Sequence, residues 1–322
     1  MIRSIISQSN DPSFNLATEE FLLRNSEQEI HFFYINKPSV IIGKHQNALA
    51  EINLAFLEEN NIPLYRRQSG GGTVYHDFGN INFCFIRKGE QGDLVNFKRA
   101  TQPIIEVLNQ WNIPARNGER NDLLVNFKKI SGNACHVFKR RVMHHGTLLY
   151  NSDLQRLNAS LRNDPSKFKD RAVKSIRSEV MNISELYGKE ITSKEFMQNL
   201  ANAIISNNRF IINSELTHDE QDGILKLQKD KYSTNEWNYN YGPNYEFRKR
   251  TVVENWVYAI HMKVERGRIN SLSIKSNNPD KNLINNMINS INGSFHQKET
   301  IADVITRFNN NEKTKELVEI FF

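Results

Sequence analysis

With Cys84 and Cys135 as its only cysteines, the 322-residue chain cannot build a disulfide framework. Neither cysteine belongs to a paired metal-binding spacing, so a reducing compartment is expected and a zinc ribbon is excluded. Long hydrophobic runs are missing too. No stretch approaches the roughly 20 apolar residues of a membrane span. The opening Met1-Ile2-Arg3-Ser4-Ile5-Ile6 is too short an apolar run for a secretion signal. A cytoplasmic protein with no membrane attachment is the expectation. Charge of one sign is also scarce, since 42 Lys and Arg against 36 Asp and Glu leave only +6. That excess suits an anionic ligand or an acidic partner, and equally a solvated surface. No helix-turn-helix, zinc-finger or aromatic RNA-binding signature is present, so nucleic acid is not an expected partner.

What is present suffices for a core. Hydrophobic residues make up 39% of the chain, and Phe and Tyr recur along nearly its whole length, which disordered chains lack. The length favours a large domain with a smaller companion. Residue spacing predicts helices over 15–24, 51–60, 97–111, 153–161 and 193–206. Runs at 31–35 and 39–43 flank Asn36-Lys37-Pro38 and read as a hairpin. Further strands are expected at 62–66, 73–76, 82–86, 122–127 and 143–150, with 73–76 and 82–86 as neighbours. Ser131-Gly132-Asn133 reads as a turn between the last two. This pattern predicts an α+β fold with a mostly antiparallel sheet flanked by helices. The aromatic, turn-prone segment from Trp237 to Pro243 ends it. Beyond lie strands at 252–265 and 268–275 joined by Arg266-Gly267, then helices at 281–292 and 301–307. Residues 1–245 are expected to form the large domain and 246–322 a small α+β domain.

Three segments hold side chains suited to chemistry. Arg66-Arg67-Gln68-Ser69-Gly70-Gly71-Gly72 leads into Thr73-Val74-Tyr75-His76-Asp77. Successive glycines let backbone N–H groups approach an anion, and Arg66 and Arg67 offer planar, permanent charge. The loop has neither a Walker ending nor dinucleotide spacing, and a tight turn with surface arginines explains it equally well. Second, Glu119-Arg120-Asn121-Asp122 precedes Lys128-Lys129-Ile130-Ser131-Gly132-Asn133-Ala134. Asp122 is a candidate carboxylate for magnesium, which binds through one or two carboxylates plus substrate phosphates. Lys129 can project a point charge, although a solvated hairpin is the simpler reading of a Lys-Lys pair alone. Third comes Met143-His144-His145-Gly146-Thr147-Leu148-Leu149. Neighbours along a strand face opposite ways, so the two histidines do not readily share a metal. Gly146 leaves room for a ligand or another backbone.

In this order the three segments resemble the lipoate–protein ligase family. Arg67 to Gly72 with Val74, His76-Asp77 and Gly79-Asn80 is similar to its signature loop. Arg120-Asn121-Asp122, Lys129-Ile130-Ser131-Gly132 and His144 to Leu149 match its next segments. The likeness starts at Phe14-Asn15-Leu16-Ala17, Glu19-Glu20, Ile42-Gly43 and Gln46-Asn47. It continues through Ser175-Ile176-Arg177-Ser178 and Asn182 to Trp237, and the tail is more loosely alike. Glu119 stands where the family commonly has Gly, and Cys135 follows the Ser-Gly-x-Ala segment.

The resemblance implies that lipoate is activated by ATP to lipoyl-AMP and then passed to a lysine of an acceptor protein. It implies Lys129 as the catalytic residue, and Arg67, Gly72, Thr73, Val74 and Tyr75 with Lys129 as the nucleotide and lipoyl-AMP contacts. His76, Ser131 and His145 fall in the lipoyl pocket, and Asp122 on Mg2+. ATP and Mg2+ are expected with lipoate as substrate, without a tightly bound prosthetic group. Lipoyl domains of 2-oxo acid dehydrogenase complexes and the glycine cleavage H protein are the implied acceptors. The nearest alternative is an octanoyl or lipoyl transferase of the same fold using a cysteine acyl-enzyme. Cys135, close in sequence to Lys129 and His136, is its candidate thiol. Biotin ligases share the general fold, but their arginine-and-glycine loop differs.

Overall fold

The computed structural model describes residues 1–89, 94–161, 164–309 and 314–322. Strand β1 (Ile2–Ile6) precedes α1 (Pro12–Asn25), then β2 (Glu29–Ile35), β3 (Ser39–Ile42), α2 (Ala48–Glu51) and α3 (Leu54–Glu59). β4 (Leu64–Arg66), β5 (Val74–His76) and β6 (Asn80–Lys88) lead to α4 (Phe97–Gln110), β7 (Arg116–Asn117) and β8 (Asp122–Val125). β9 (Lys128–Phe138) and β10 (Arg141–Leu149) follow, with α5 (Leu154–Ser160), β11 (Phe168–Asp170), α6 (Ser184–Tyr187), α7 (Ser193–Ser206), β12 (Ile211–Ser214) and α8 (His218–Leu227). The C-terminal part holds β13 (Tyr245–Val253), β14 (Trp256–Glu265), β15 (Arg268–Ser276), α9 (Lys281–Ile291), α10 (Lys298–Thr306) and α11 (Thr314–Glu319).

Among the described residues the largest sheet has eight strands, ordered β12-β1-β2-β6-β10-β9-β8-β7. β1 pairs in parallel with β12 and β2, and the other pairs are antiparallel. Alternation along its strands separates two buried faces. Phe33, Ile35, Phe83, Phe85 and Leu148 pack on α4 and α7 through Ile104, Leu108, Phe196 and Leu200. Phe32, Tyr34, Cys84 and Ile86 point the other way, toward Leu22 and Leu23 of α1. Asp11 starts α1 by accepting from the Ser13 and Phe14 N–H groups, with Pro12 just inside. A second sheet, β4-β3-β5, has its own core of Val40, Ile42, Leu57, Leu64 and Tyr75. A third, β11-β13-β14-β15, packs on α9 to α11 around Phe247, Met262, Met287 and Ile305.

The expected mixture of helices and mostly antiparallel strands is present, and several local expectations are corrected. β2 and β3 do not form a hairpin. β3 pairs with β4 and β5, so Asn36-Lys37-Pro38 carries the chain from one sheet to another. β5 and β6 are likewise in different sheets. Ser131-Gly132-Asn133 lies within β9, and the turn comes earlier, at Asn126 (φ 50°) and Phe127 (φ 65°). The helix expected over 51–60 begins only at Leu54 as α3, capped by Asn53, and Glu51 instead ends the separate α2. The strand expected over 252–265 begins only after a turn at Glu254, with β13 as its partner. Strand periodicity reports which face a side chain takes, and it is silent on which strand lies alongside.

The Arg266-Gly267 turn does join β14 to β15, and Gly267 takes φ +76°. A Cβ there would lie 2.3 Å from Asn240 Oδ1. Gly267→Ala is expected to destabilise by about 1–2 kcal/mol, from backbone strain and this clash together. A lowered midpoint in a denaturant melt reports it; an unchanged midpoint would refute the turn geometry.

Candidate active site

A single cross-strand row defines the floor of the site. Tyr34 on β2 lies opposite Asn82 on β6, and Asn82 opposite Thr147 on β10. Thr147 Oγ1 accepts the Gly132 N–H at 3.2 Å, and Gly132 on β9 lies opposite Asp122 on β8. Residues in one row share a face, and five strands span roughly 19 Å. All five line a groove-shaped cavity of about 320 Å³. Its other wall comes from the small sheet and glycine loop, with Ile41, Arg67, Gly72, Val74 and His76. Residues 173–176 and Ser178 edge it as a strap.

One end is charged. The β8–β9 register shifts after Leu123, which pairs with Ser131 while Leu124 pairs with Lys129, leaving Ile130 as an extra residue. Bulges re-aim side chains, and this one accompanies Lys129 at the cavity wall. The Lys129 backbone is fixed on its other side, donating to Glu179 O at 2.8 Å and accepting from Met181 N at 3.1 Å. A Cβ on Gly132 would sit 3.2 Å from Lys129 Cε and Nζ, so the glycine makes room for that side chain. Burial lowers the Lys129 pKa, and the Asp122 charge opposes the shift.

The two arginines of the loop have different duties. Arg66 is fully buried and donates to the carbonyls of Gln46 (2.7 Å), Trp237 (3.0 Å), Asn238 (3.0 Å), Gly43 (3.1 Å) and Lys44 (3.1 Å). This corrects the expectation that Arg66 offers its charge to an anion. Arg67 lines the cavity and also braces the loop. It donates to Gly70 O at 2.6 Å, Gly72 O at 2.7 Å, Ser69 Oγ at 3.0 Å and Ile41 O at 3.2 Å.

Three buried carboxylates, outside the expected site, support the loop. Glu19 binds His145 Nδ1 at 2.7 Å, and His145 Nε2 meets Ser69 Oγ at 2.6 Å. Glu20 takes Lys231 and the Tyr232 hydroxyl, both at 2.6 Å, and Lys231 passes on to Gln68 at 2.8 Å. Glu51 accepts from the Ser175 hydroxyl, which in turn accepts the Thr73 N–H at 2.9 Å, tying strap to loop. For Glu19 and Glu20 the sequence signal was faint, two adjacent acids in a largely apolar stretch of α1, and Glu51 gave none.

The cavity therefore gathers Arg67, Gly72, Thr73, Val74, His76, Asp122, Lys129 and His145. Two expected residues are not on its lining. The Tyr75 side chain packs in the small-sheet core, and Ser131 is fully buried within β9 with its hydroxyl 3.2 Å from Asn133 Nδ2. Cys135 faces away. It is opposite His144, whose ring meets Phe97 of α4, while its neighbour Ala134 lines the cavity. Burial also raises the Cys135 pKa, so its thiolate is disfavoured. No described cluster of three His, Cys, Asp or Glu side chains is set to hold a metal, and no described helix is long and apolar enough to cross a membrane.

The model of the lipoyl protein ligase A/B catalytic domain matches residues 11–205. Lipoate–protein ligase 1 of Staphylococcus aureus is 36% identical over 307 residues, covering 94% of this chain and 93% of its own. The chain belongs to the lipoate–protein ligase family. Solved ligases share the fold. A lipoate-protein ligase A bound with ATP matches with a TM-score of 0.63 at 28% identity, over 74% of this chain and 98% of that one. A bipartite lipoate protein ligase of Thermoplasma acidophilum, described with its E2 lipoyl domain, matches at 0.63 and 27%, over 78% and 98%.

Two stability tests follow from this site. Arg66→Lys replaces a planar five-donor fork with a point charge and leaves buried carbonyls unpaired, a loss of about 2–4 kcal/mol in denaturant melts. A loss below about 0.5 kcal/mol would be inconsistent with the five-carbonyl cage. Burial holds His31 and His76 at about 3 and His296 at about 4, below the usual 6.5. Each is neutral when folded and takes a proton more readily unfolded. Stability is then full above about pH 6.5 and falls as pH drops toward 4. Denaturant midpoints that stay flat between pH 7 and 4.5 would contradict it.

Proposed function

We propose that this ligase joins lipoate to a lysine of an acceptor lipoyl domain through lipoyl-AMP. The observation that carries this reading is Lys129, a desolvated ammonium at one end of a groove whose lining also includes the apolar Leu16, Ile41 and Val74. A carboxylate with an apolar tail suits that polarity.

In the first step a lipoate carboxylate oxygen attacks the α-phosphorus of ATP. The bond to the β-phosphate oxygen breaks, and pyrophosphate leaves with the electron pair. Negative charge is carried on the phosphoryl oxygens throughout, which calls for fixed positive charge and N–H donors. Lys129 binds the carboxylate and the α-phosphate, and their charge offsets the desolvation that lowers its pKa. Arg67, Gly72, Thr73, Val74 and the Tyr75 backbone hold the nucleotide and the acyl phosphate in this reading. His76 and His145 flank the lipoyl chain, and Ser131 supports the strand behind it. In the second step the neutral amine of the acceptor lysine attacks the acyl carbon. The amide forms, AMP departs with the electron pair, and the nitrogen gives up a proton. Adenylation supplies the leaving group that a free carboxylate lacks.

Asp122 fits a magnesium ion bound together with ATP. It is a lone carboxylate on the cavity wall, and Gly118, where a Cβ would lie 2.0 Å from Asp122 Oδ1, leaves it room. Bound there, the ion would neutralise phosphate charge. The archaeal relative's E2 lipoyl domain supports acceptors of that kind, which we extend to 2-oxo acid dehydrogenase complexes and the glycine cleavage H protein in the cytoplasm. Residues 1–245 carry catalysis in this reading, and 246–322 form an accessory domain tied to them by the pairing of β11 with β13 and by Lys298, 2.5 Å from Glu58.

Lipoate-dependent exchange of labelled pyrophosphate into ATP tests the first step. Lys129→Ala should reduce exchange by about a hundredfold or more, and Cys135→Ala should leave it intact. Lipoyl transfer that needs Cys135 and no ATP would sink the proposal.

A further inference from the structure

The polar groups on the inner stretch of the groove can be followed one at a time. Tyr34 donates its hydroxyl to Glu19 at 3.0 Å, and both ring nitrogens of His145 are engaged, by Glu19 and Ser69. Asn82 Nδ2 donates to the Tyr34 carbonyl at 3.3 Å, and its Oδ1 accepts from Asn80 at 3.0 Å. His76 is different. Its tautomer is fixed by a chain that begins at a carbonyl, which can only accept. Asn15 Nδ2 donates to Ser9 O at 2.9 Å and to Asn36 Oδ1 at 2.8 Å. Asn36 therefore turns its Nδ2 donor to His76 Nδ1 at 3.0 Å. Nδ1 accepts, so the ring proton sits on Nε2. That atom is buried, on a residue only 4% exposed that lines the groove, and it has no partner among the described residues.

We propose that His76 Nε2–H is a specificity determinant for sulfur, donating a hydrogen bond to the dithiolane ring of the bound acid. The inference rests on the lipoate reading above. With the carboxylate at Lys129, at the β8–β9 end of the row, the ring of the tail lies toward β2 and the small sheet, where Tyr34 and His76 sit. A sulfur is a weak acceptor, yet a site with a buried donor discriminates against an analogue offering no acceptor at all. The neutral imidazole suits this task, because a fixed cation would bind water or an anion more strongly than sulfur.

The test compares lipoate with 5-cyclopentylpentanoate, which keeps chain length and ring size and replaces both sulfurs by CH2. With the full chain, lipoate should lead in kcat/KM for ATP-dependent ligation by roughly five- to tenfold. In His76→Phe, which keeps a ring and loses the donor, the ratio should fall to near one; an unchanged ratio overturns the proposal. A second measurement needs no variant. In 15N-histidine NMR of the unaltered protein, the His76 Nε2–H resonance should move with lipoate and stay with the carbocycle. Movement with both acids, or with neither, overturns it. Absence of any lipoate-dependent pyrophosphate exchange would count against the ligase reading, whereas exchange with equal use of both acids counts against sulfur selection alone.

Discussion

A buried guanidinium fixes the wall of the site that carries the glycine loop. Arg66 lies at the end of β4 with no solvent contact, and its donors reach backbone carbonyls at 43–46 and at 237–238. Removing such a charge from water costs several kcal/mol, so it is tolerated only where every donor finds an acceptor. The pairing runs both ways, because Trp237 Nε1 donates to Arg66 O at 2.7 Å and Asn238 Oδ1 accepts the Arg66 N–H at 3.0 Å. The small sheet is thus fixed to a segment more than 170 residues away in sequence. The distance from this wall to the floor of the large sheet is set by separate contacts, Ser69 with His145 of β10 at 2.6 Å and His76 with Asn36 just after β2 at 3.0 Å.

The next residue makes the loop itself rigid. Arg67 points its donors at the carbonyls of Gly70 and Gly72, which fixes the course of the glycine run along the cavity. Positive charge reaches the cavity through a side chain that also sets the loop's shape. Successive glutamates on α1 extend the same arrangement. Glu19 reaches Ser69 through His145, and Glu20 reaches Gln68 through Lys231, so one buried helix controls two consecutive loop residues. Burial of both acids explains why α1 lacks a polar face.

How much of this was legible depended on whether the information was local. The α+β class, the Arg266-Gly267 turn and the convergence of the glycine loop, Lys129 and His145 could be read from pattern and motif. The sheet change at Pro38 could not, because β2 and β3 show similar apolar runs whether they pair or not. Ser131-Gly132-Asn133 looked like a turn because small residues favour turns; in the structure Gly132 is there to clear space for the Lys129 side chain. The duties of Arg66, Glu20 and Glu51 were hidden for a related reason. Each is defined by partners far along the chain, and a charged letter in a sequence does not announce burial.

The groove's direction across the strands, rather than along them, has a chemical consequence. Along a single strand, neighbouring side chains alternate faces, so a ligand laid that way meets only every second residue. Across the strands, each step of about 4.8 Å brings a new side chain of the same face, and each strand can supply a different polarity. β8 contributes a carboxylate and β9 a lysine, β10 His145 and Thr147, β6 Asn82, and β2 a tyrosine already bound to Glu19. The carboxylate and the ammonium of this floor thus sit together at the β8–β9 end, with amide and hydroxyl groups farther in. A ligand laid across the floor meets those ionic groups at one end only, while Arg67 faces it from the opposite wall. That placement is built into strand order and register before any single contact is considered.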